Sequence, residues 1–579
     1  MWVPSGWRRP DPRTAAREAI WVVALTAWAL FLTWPLAADL GSRVPQDLGD
    51  PLENAWIMAW GGHAIREQPL ALFHANIFFP QRHTLAFAEN MLGISIPLAP
   101  LFWLSGNAVL VTNIAALAVS VAAGYGVALL VRTRTTSAPA AAAAAAAFMA
   151  APYRVSSLSH IHVIAIHLLP FLLLALLALA RRPTWWRGAL VAALVGAQIW
   201  SSLTGAIVTC VAMGCWGIWT IALHRETALR ALALGVAGAA LGAASAAPVL
   251  LAYSHARAEN PEYAHPEVEV LENSATPGSF LYPPPGGSTS RELYAALADD
   301  FGGRASSEET LFPGVVLTIG GVLGLVAAVT AGRLRRDAAL ALLLAATGTV
   351  LSFGPRWGGR EDGFPLPFAI VSSLVPGGLT RVPARFGALV LLAAALLLGL
   401  GVARVRGRAA VGVAVVVVAL LAAERWPPNQ PYVEPPPISS AYEVLEGRLG
   451  AVVALPTLEY GPDGGLVVPS VYREALHLYF STGDFRPRTN GYGAFVPTGY
   501  ATLAQQIQDF PTEAGLTALR DAGVETVVVE KAMTDQSRWA GVEERLRDWP
   551  GVRLLAAEGN TFVFDIAGAA DAVAPTASG

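Results

Sequence analysis

Between the first long apolar run and the second stands Asp-Leu-Gly-Asp-Pro-Leu-Glu-Asn-Ala-Trp, residues 47–56. Carboxylates this close to a membrane-length segment are poor lipid anchors, and ionisable groups at that boundary serve chemistry, transport or a lipid headgroup. A positioned carboxylate can take the proton of an attacking hydroxyl, so Asp50, Glu53 and Asp47 are the candidate catalytic carboxylates. Asp50-Pro51-Leu52-Glu53 is also a strong helix start, with Asp as N-cap, Pro at the first helical position and Glu at the third. Capping alone would account for Asp50, and Asp47 reads equally well as a solvated loop residue. Glu89 is a candidate second acidic group for an acceptor or a metal, against the plainer reading of a carboxylate at headgroup level. Trp56 and Trp60, four apart, read as an interfacial belt rather than a sugar-stacking platform.

The elements that must hold these residues are membrane spans. Of the 579 residues 54% are hydrophobic and 14% charged, and mean hydropathy is +0.48; a soluble chain of this length carries more charge. A net charge of −3 and the lack of a basic cluster argue against a nucleic-acid partner. Lys531 is the only lysine, which reads as GC-rich bacterial coding. Cys210 and Cys215 share one apolar run and give neither a disulfide framework nor a zinc spacing.

Apolar segments approaching the roughly 20 residues a bilayer helix needs fall near 18–38, 108–131, 139–152, 161–180, 188–204, 205–223, 229–252, 313–332, 337–353, 386–403 and 409–424. Arginines gather at 8–17, 132–134, 181–187, 225–230, 333–336 and 404–408. With eleven spans each cluster falls at every second loop, which puts all of them and the N-terminus on the cytoplasmic side. That alternation leaves out 91–105, with Pro97 and Pro100, and the proline-bearing 365–378; both are expected to be re-entrant or interfacial. Arg8 and Arg9 before an apolar run also fit a signal peptide, but the run is long for one and the later spans need a first helix to orient them.

The expected organisation is a transmembrane domain over 1–424 with outer loops 39–90, 253–312 and 355–385. A stiff proline-rich linker follows at 425–437, then an extracytoplasmic α/β domain at 438–570 and a disordered tail at 571–579. AVVALPTL and ETVVVE read as buried strands, TGYATLAQQIQDF and TEAGLTALRDAG as helices.

Among the outer-side arginines, which run against the positive-inside bias, Arg154 in APYRVSS and Arg381 and Arg385 in LTRVPARF stand out. Paired guanidinium donors suit phosphate, although these side chains can also snorkel to headgroups. His160 and His162, in SSLSHIHVIAIH, sit at the outer end of a span with His167 deeper. Histidines two apart point to different sides of a helix, so a shared role needs a non-helical start there, and His160 is the stronger functional candidate. Neither a Walker loop nor a dinucleotide-binding GxGxxG in its strand–helix setting is present, so a transferase of this kind would need an already activated, lipid-linked substrate.

One long span, the acidic loop, an amphipathic helix, the LAPLFWL segment and a span ending in LLVRTR resemble bacterial members of the glycosyltransferase-C superfamily, which includes protein mannosyltransferases. PGGLTRVPARFG and the C-terminal domain are more similar to YfhO-type membrane proteins. The resemblance implies a polytopic α-helical membrane protein that uses a polyprenyl-phosphate-linked sugar donor and a lipid, glycan or protein acceptor. It implies no certain cofactor beyond, at most, a divalent metal ion. It places Asp50 at the first-loop catalytic carboxylate, followed by Glu53. The usual Asp-Glu or Asp-x-Asp pair is here Asp-Pro-Leu-Glu, with Asp47 upstream, which leaves open which carboxylate acts. Arg154, Arg381, Arg385 and His160 would then meet the donor phosphate. A non-enzymatic transporter or an inactive scaffold is the alternative; the nearly charge-free span interiors and the lack of a repeat weigh against a transporter.

Overall fold

The computed structural model describes residues 12–263, 266–281, 308, 310–330, 332–374, 381–426, 431–461 and 465–570. The expected tail at 571–579, Arg8, Arg9 and residues 282–307 of the loop 253–312 lie outside the described residues.

Each of the eleven apolar segments contains helix. The first twelve helices are α1 (Pro12–Leu32), α2 (Asp50–Glu67), α3 (Leu92–Ser105), α4 (Ala108–Thr135), α5 (Ala138–Ala150), α6 (Pro152–Ser156), α7 (Ile161–Ile164), α8 (Leu169–Arg181), α9 (Trp185–Ser201), α10 (Leu203–Leu223), α11 (Arg225–Ser245) and α12 (Ala247–Glu259). Helices Val315–Thr330, Arg335–Ser352, Gly387–Val402 and Gly407–Glu424 complete the bundle. Among the described residues seven helical stretches are long and apolar enough to cross a membrane. α3, α5 and Val315–Thr330 are shorter apolar helices. The chain is a polytopic helical membrane protein with a small C-terminal sheet domain.

The alanine run of α5 is almost wholly buried, packed against α4, Gly387–Val402 and Gly407–Glu424. Side chains this small let neighbouring backbones approach closely, the usual basis of helix association in lipid. α3, the segment expected to be re-entrant or interfacial, is one continuous helix through both of its prolines. It lies along α2, and Gly61 permits the approach, since a Cβ there would sit 2.0 Å from Ser95 Oγ. Of the segment 365–378, Phe368–Leu374 forms a short helix, and 375–378 lies outside the described residues.

The arginine clusters meet at one end of the bundle. Arg134 pairs with Asp337 at 2.6 Å and Arg132 with Glu18 at 2.8 Å. Trp219 Nε1 donates to the Arg336 carbonyl at 2.6 Å, and Thr227 Oγ1 to that of Ala180 at 2.5 Å. At the other end sit α2 and the C-terminal domain. There strand β1 (Val44–Pro45) pairs antiparallel with β2 (Tyr432–Val433), tying the first loop to the linker. In the domain, β3 (Ala451–Leu455) runs parallel to β4 (Val524–Glu530). β6 (Thr561–Asp565) pairs antiparallel with both β4 and β5 (Arg553–Glu558), giving the order β3-β4-β6-β5. β3 is buried along its whole length, as its unbroken apolar run predicts. Helix Val468–Phe480 connects the domain to the membrane part by packing on α2.

Candidate functional site

α2 begins at Asp50 rather than after it. Gly49 is the N-cap, Pro51 occupies the first turn, and no side chain caps the helix. Asp50 is therefore not the cap that its spacing suggests, and its carboxylate is free to point elsewhere. Asp47 does the local work instead, its Oδ1 accepting from the Gly49 N–H at 2.8 Å; it is exposed and outside the cavity described next.

Asp50 opens into a cavity of about 300 Å³ that also holds Glu53, Glu89, His160, His162, Glu308, Arg381 and Arg385. Val471, Tyr492, Gly493 and Ala494 of the C-terminal domain close one wall. Asp50 Oδ2 lies 2.6 Å from His160 Nε2, and Oδ1 accepts from the Tyr492 hydroxyl at 2.6 Å. His160 Nδ1 is 2.8 Å from Ser159 Oγ, which donates to Gln46 Oε1 at 2.7 Å. A carboxylate has about four lone-pair positions, and 35% of the Asp50 side chain stays open.

The two carboxylates of α2 are driven apart in proton affinity. Burial pushes Asp50 upward, but its hydrogen bond and charge interaction with His160, and then Tyr492, hold it below the ordinary carboxylate range. Glu53 is raised well above that range, by burial first and then by the charges of Asp50 and Glu89, against the opposing pull of Arg381. Burial would lower His160, yet its bond to Asp50 keeps it raised. Asp50, lowered and paired with a His160 whose proton affinity is raised, thus stands beside a Glu53 raised well above the ordinary range, and such divergence marks acid–base sites.

A break in a span brings both histidines here. The segment expected to be helical over 161–180 has only the short α7, then leaves the helix until α8 begins at Leu169. Non-helical backbone at this depth is tolerated where protein satisfies it or it lines a cavity. Here Gln198 Nε2 donates to the Ala165 carbonyl at 2.8 Å and Ser202 Oγ to that of His162 at 3.0 Å. With the helix interrupted, His160 and His162 both line the cavity, their ring centroids 6.0 Å apart. Arg154 serves the same break: its Nη2 reaches the Ile164 carbonyl at 3.5 Å and its guanidinium lies over the Phe148 ring at 4.5 Å. It is buried and does not line the cavity, so the expectation that it meets a donor phosphate is corrected.

Arg385 and Arg381 do line it. Arg385 uses its Nε–Nη2 edge on Glu308, at 3.3 and 2.5 Å. Among the described residues nothing bonds its Nη1. Burial pushes Glu308 upward, but Arg385 overrides this and holds it at about 2. Arg381 is looser, 3.5 Å from Glu269 and 35% exposed. Glu89 is neither solvated nor free: its oxygens accept from the Leu203 and Thr204 N–H groups, each at 2.8 Å, anchoring the start of α10 as an anion at a helix N-terminus. Trp56 and Trp60 are buried and stacked at 6.3 Å, not arrayed as an interfacial belt. Trp56 Nε1 donates to Asn76 Oδ1 at 2.9 Å.

Among the described residues no group of three His, Cys, Asp or Glu side chains is placed to hold a metal.

No family model and no curated protein matches the sequence. Among solved structures the chain is similar to the arabinofuranosyltransferase AftD from mycobacteria, with a TM-score of 0.58 at 17% identity, covering 95% of this chain and 40% of that one. The fold is glycosyltransferase-C-like. The oligosaccharyltransferase from Archaeoglobus fulgidus also matches, at TM-score 0.44 and 11% identity, over 94% of this chain and 74% of its own. The chain therefore spans well under half the length of the mycobacterial protein.

Within this glycosyltransferase-C-like frame, the two partners of the cavity's charged groups Arg385 and Asp50 escaped the sequence reading. Glu308 sits in RASSEETLF, where neither periodicity nor a motif singles it out. Tyr492 lies 442 positions from the carboxylate it bonds; its sequence context, TNGYGAF, signals a turn and nothing about a distant partner.

Proposed function

We propose that this protein is a membrane glycosyltransferase that moves a sugar from a polyprenyl-phosphate-linked donor to an acceptor hydroxyl at the extracytoplasmic face of a bacterial plasma membrane. One observation carries the reading. A single recessed cavity sets a carboxylate pair with divergent proton affinities, Asp50 and Glu53, opposite two arginines and a histidine of raised proton affinity bonded to Asp50. The fold alone supports the class; donor, acceptor and base rest on this geometry.

In the proposed step the acceptor oxygen bonds to the anomeric carbon while the bond from that carbon to the phosphate oxygen breaks. The electron pair leaves with the phosphate, and the acceptor proton passes to the open side of Asp50. A single displacement of this kind inverts the anomeric centre. Arg385 through Nη1, Arg381 and protonated His160 meet the negative charge that develops on the leaving phosphate. Tyr492 and His160 hold Asp50 ionised before the acceptor arrives.

The test is transfer from a panel of radiolabelled polyprenyl-phosphate sugars in membranes. Asp50→Asn keeps size and hydrogen-bonding reach, and should lower turnover by about a hundredfold or more in a normally folded protein. Glu53→Gln mimics the protonated state that Glu53 already favours and should cost far less. A larger loss in Glu53→Gln would move the base to that residue. Full transfer by both would remove Asp50 and Glu53 as the base, and none from wild type with any donor would leave the transporter or scaffold reading in its place.

A further inference from the structure

At the opposite end of the bundle the ends of α4, α8 and α10 and the start of helix Arg335–Ser352 surround a second polar cavity, of about 370 Å³. Its lining is Arg134, Arg181, His224, Gly332 and Arg336. No carboxylate is among these described lining residues. Asp337 neutralises one guanidinium, that of Arg134, at 2.6 Å, both side chains being only 11% exposed. Among the described residues the guanidinium groups of Arg181 and Arg336 have no ion-pair or hydrogen-bond partner.

The framework around these cations is fixed. The Trp219 ring lies 4.8 Å from that of His224, and its Nε1 bonds the Arg336 carbonyl. Thr227 Oγ1 bonds the carbonyl of Ala180, beside Arg181. His224 is held below its ordinary value by burial first and then by the charges of Arg336, Arg181 and Arg134, so an added anion would relieve a standing repulsion.

Topology alone asks only that arginines flank the spans on this side. It does not ask that three segments distant in sequence converge their cations on one recess. We infer that this cavity binds the phosphate group of an anion, held by Arg181 and Arg336 with Arg134 and His224 behind them. Paired guanidinium donors match phosphate oxygens. The recess lies at the ends of membrane-length helices, the level at which basic pockets take anionic headgroups. Two sources share this chemistry, an anionic phospholipid and free phosphate.

The experiment uses the full chain in non-ionic detergent and reads bound lipid by native mass spectrometry. Phosphatidylglycerol, phosphatidylcholine and inorganic phosphate are added separately, with thermal shift as a second readout. Arg336→Gln should weaken retention of the anionic probe by about fivefold, the scale of one arginine near an anionic surface. Arg335→Gln is the control: it removes the same charge from the adjacent position, where the side chain bonds the Val329 carbonyl and does not line the cavity. Selective, Arg336-dependent retention of phosphatidylglycerol over phosphatidylcholine assigns the lipid. An Arg336-dependent thermal shift with inorganic phosphate alone assigns the free ion. Equal losses in the two variants, or no retention of any anionic probe by wild type, would reduce the cavity to the general positive field of that end and overturn the proposal.

Discussion

The two ends of the membrane bundle each gather charged side chains from distant parts of the chain, and they balance them differently. The recess at the arginine end is lined by cations without a carboxylate among its described lining residues. The cavity beneath the C-terminal domain sets Asp50, Glu53, Glu89 and Glu308 against His160, His162, Arg381 and Arg385. An excess of one sign can hold a counter-ion and orient helices, but it gives a proton nowhere to go. A matched set can hold one carboxylate ionised and its neighbour protonated, and only that arrangement suits acid–base work. Arginine and histidine are common to both ends; the carboxylates set against them separate the two.

The starkest test of this contrast is all-or-none. In a Cys210→Ala/Cys215→Ala background, cysteines replacing the exposed Arg182 and Arg335 should resist a membrane-impermeant thiol reagent in intact cells. A cysteine replacing the exposed Glu513, in the C-terminal domain, should react. Labelling from outside at all three positions, or at none, would remove the topological basis for giving the ends different roles.

Arg385 comes next in size. Its Glu308 partner is buried in the same contact, the side chains 11% and 18% exposed. Removing one member of such a pair strands the other charge, at a cost of about 3–5 kcal/mol. Arg385→Ala should therefore lower thermal stability markedly in detergent, whatever it does to transfer. Arg385→Lys keeps the charge without the paired donors. It should fold and show a weakened response to donor concentration if Nη1 meets the phosphate. Unchanged transfer in a stable Arg385→Lys protein would confine the residue to holding Glu308.

Much of the bundle was legible because a bilayer imposes a length, a composition and a charge bias that local sequence must display. The helices within the eleven apolar segments and the gathering of the arginines followed from that, and β3 and β4 from their apolar runs. The cavity was legible only in part. Asp50, Glu53, Glu89, His160, Arg381 and Arg385 all line it, because each is an ionisable group where an apolar boundary makes such groups conspicuous. Arg154 drew the same notice for another reason: it serves a break in the α7–α8 span, and that break depends on Gln198 and Ser202, far along the chain. Tyr492 and Glu308 were hidden because their significance lies wholly in tertiary contacts. α3 stayed helical through two prolines because its close packing on α2 outweighs local propensity.

Tyr492 also gives a measurement of smaller scale. Its hydroxyl is one of the donors that hold Asp50 below the ordinary range. A depressed carboxylate contributes stability above its unfolded value, and that contribution is lost as pH falls through the folded value. Removing a donor raises the folded value and narrows that range from the acid side. In Tyr492→Phe the acid limb of the transfer–pH profile should move toward neutrality by about one unit, the equivalent of one hydrogen bond to a charged group. The alkaline limb should stay in place, because His160 keeps its own contact with Asp50. A lower rate with an unmoved acid limb would mean that Tyr492 acts only by docking the C-terminal domain.

The smallest effect belongs to the arginine end. Arg132 pairs with Glu18 at 2.8 Å, with side-chain exposures of 19% and 26%, and Tyr125 donates to the same carboxylate at 2.9 Å. In Arg132→Gln the carboxylate keeps its tyrosine donor and its contact with Arg17, so little is stranded. An accessible pair of this kind is worth about 0–1 kcal/mol. Stability in detergent should fall by no more than that, and transfer should match wild type, since nothing in this contact reaches the cavity at the other end. Raising the salt concentration should erase most of the difference, because exposed pairs are screened. A severalfold loss of transfer in a stable Arg132→Gln protein would show the two ends to be coupled through the bundle. The division between a topological end and a chemical end would then have to be given up.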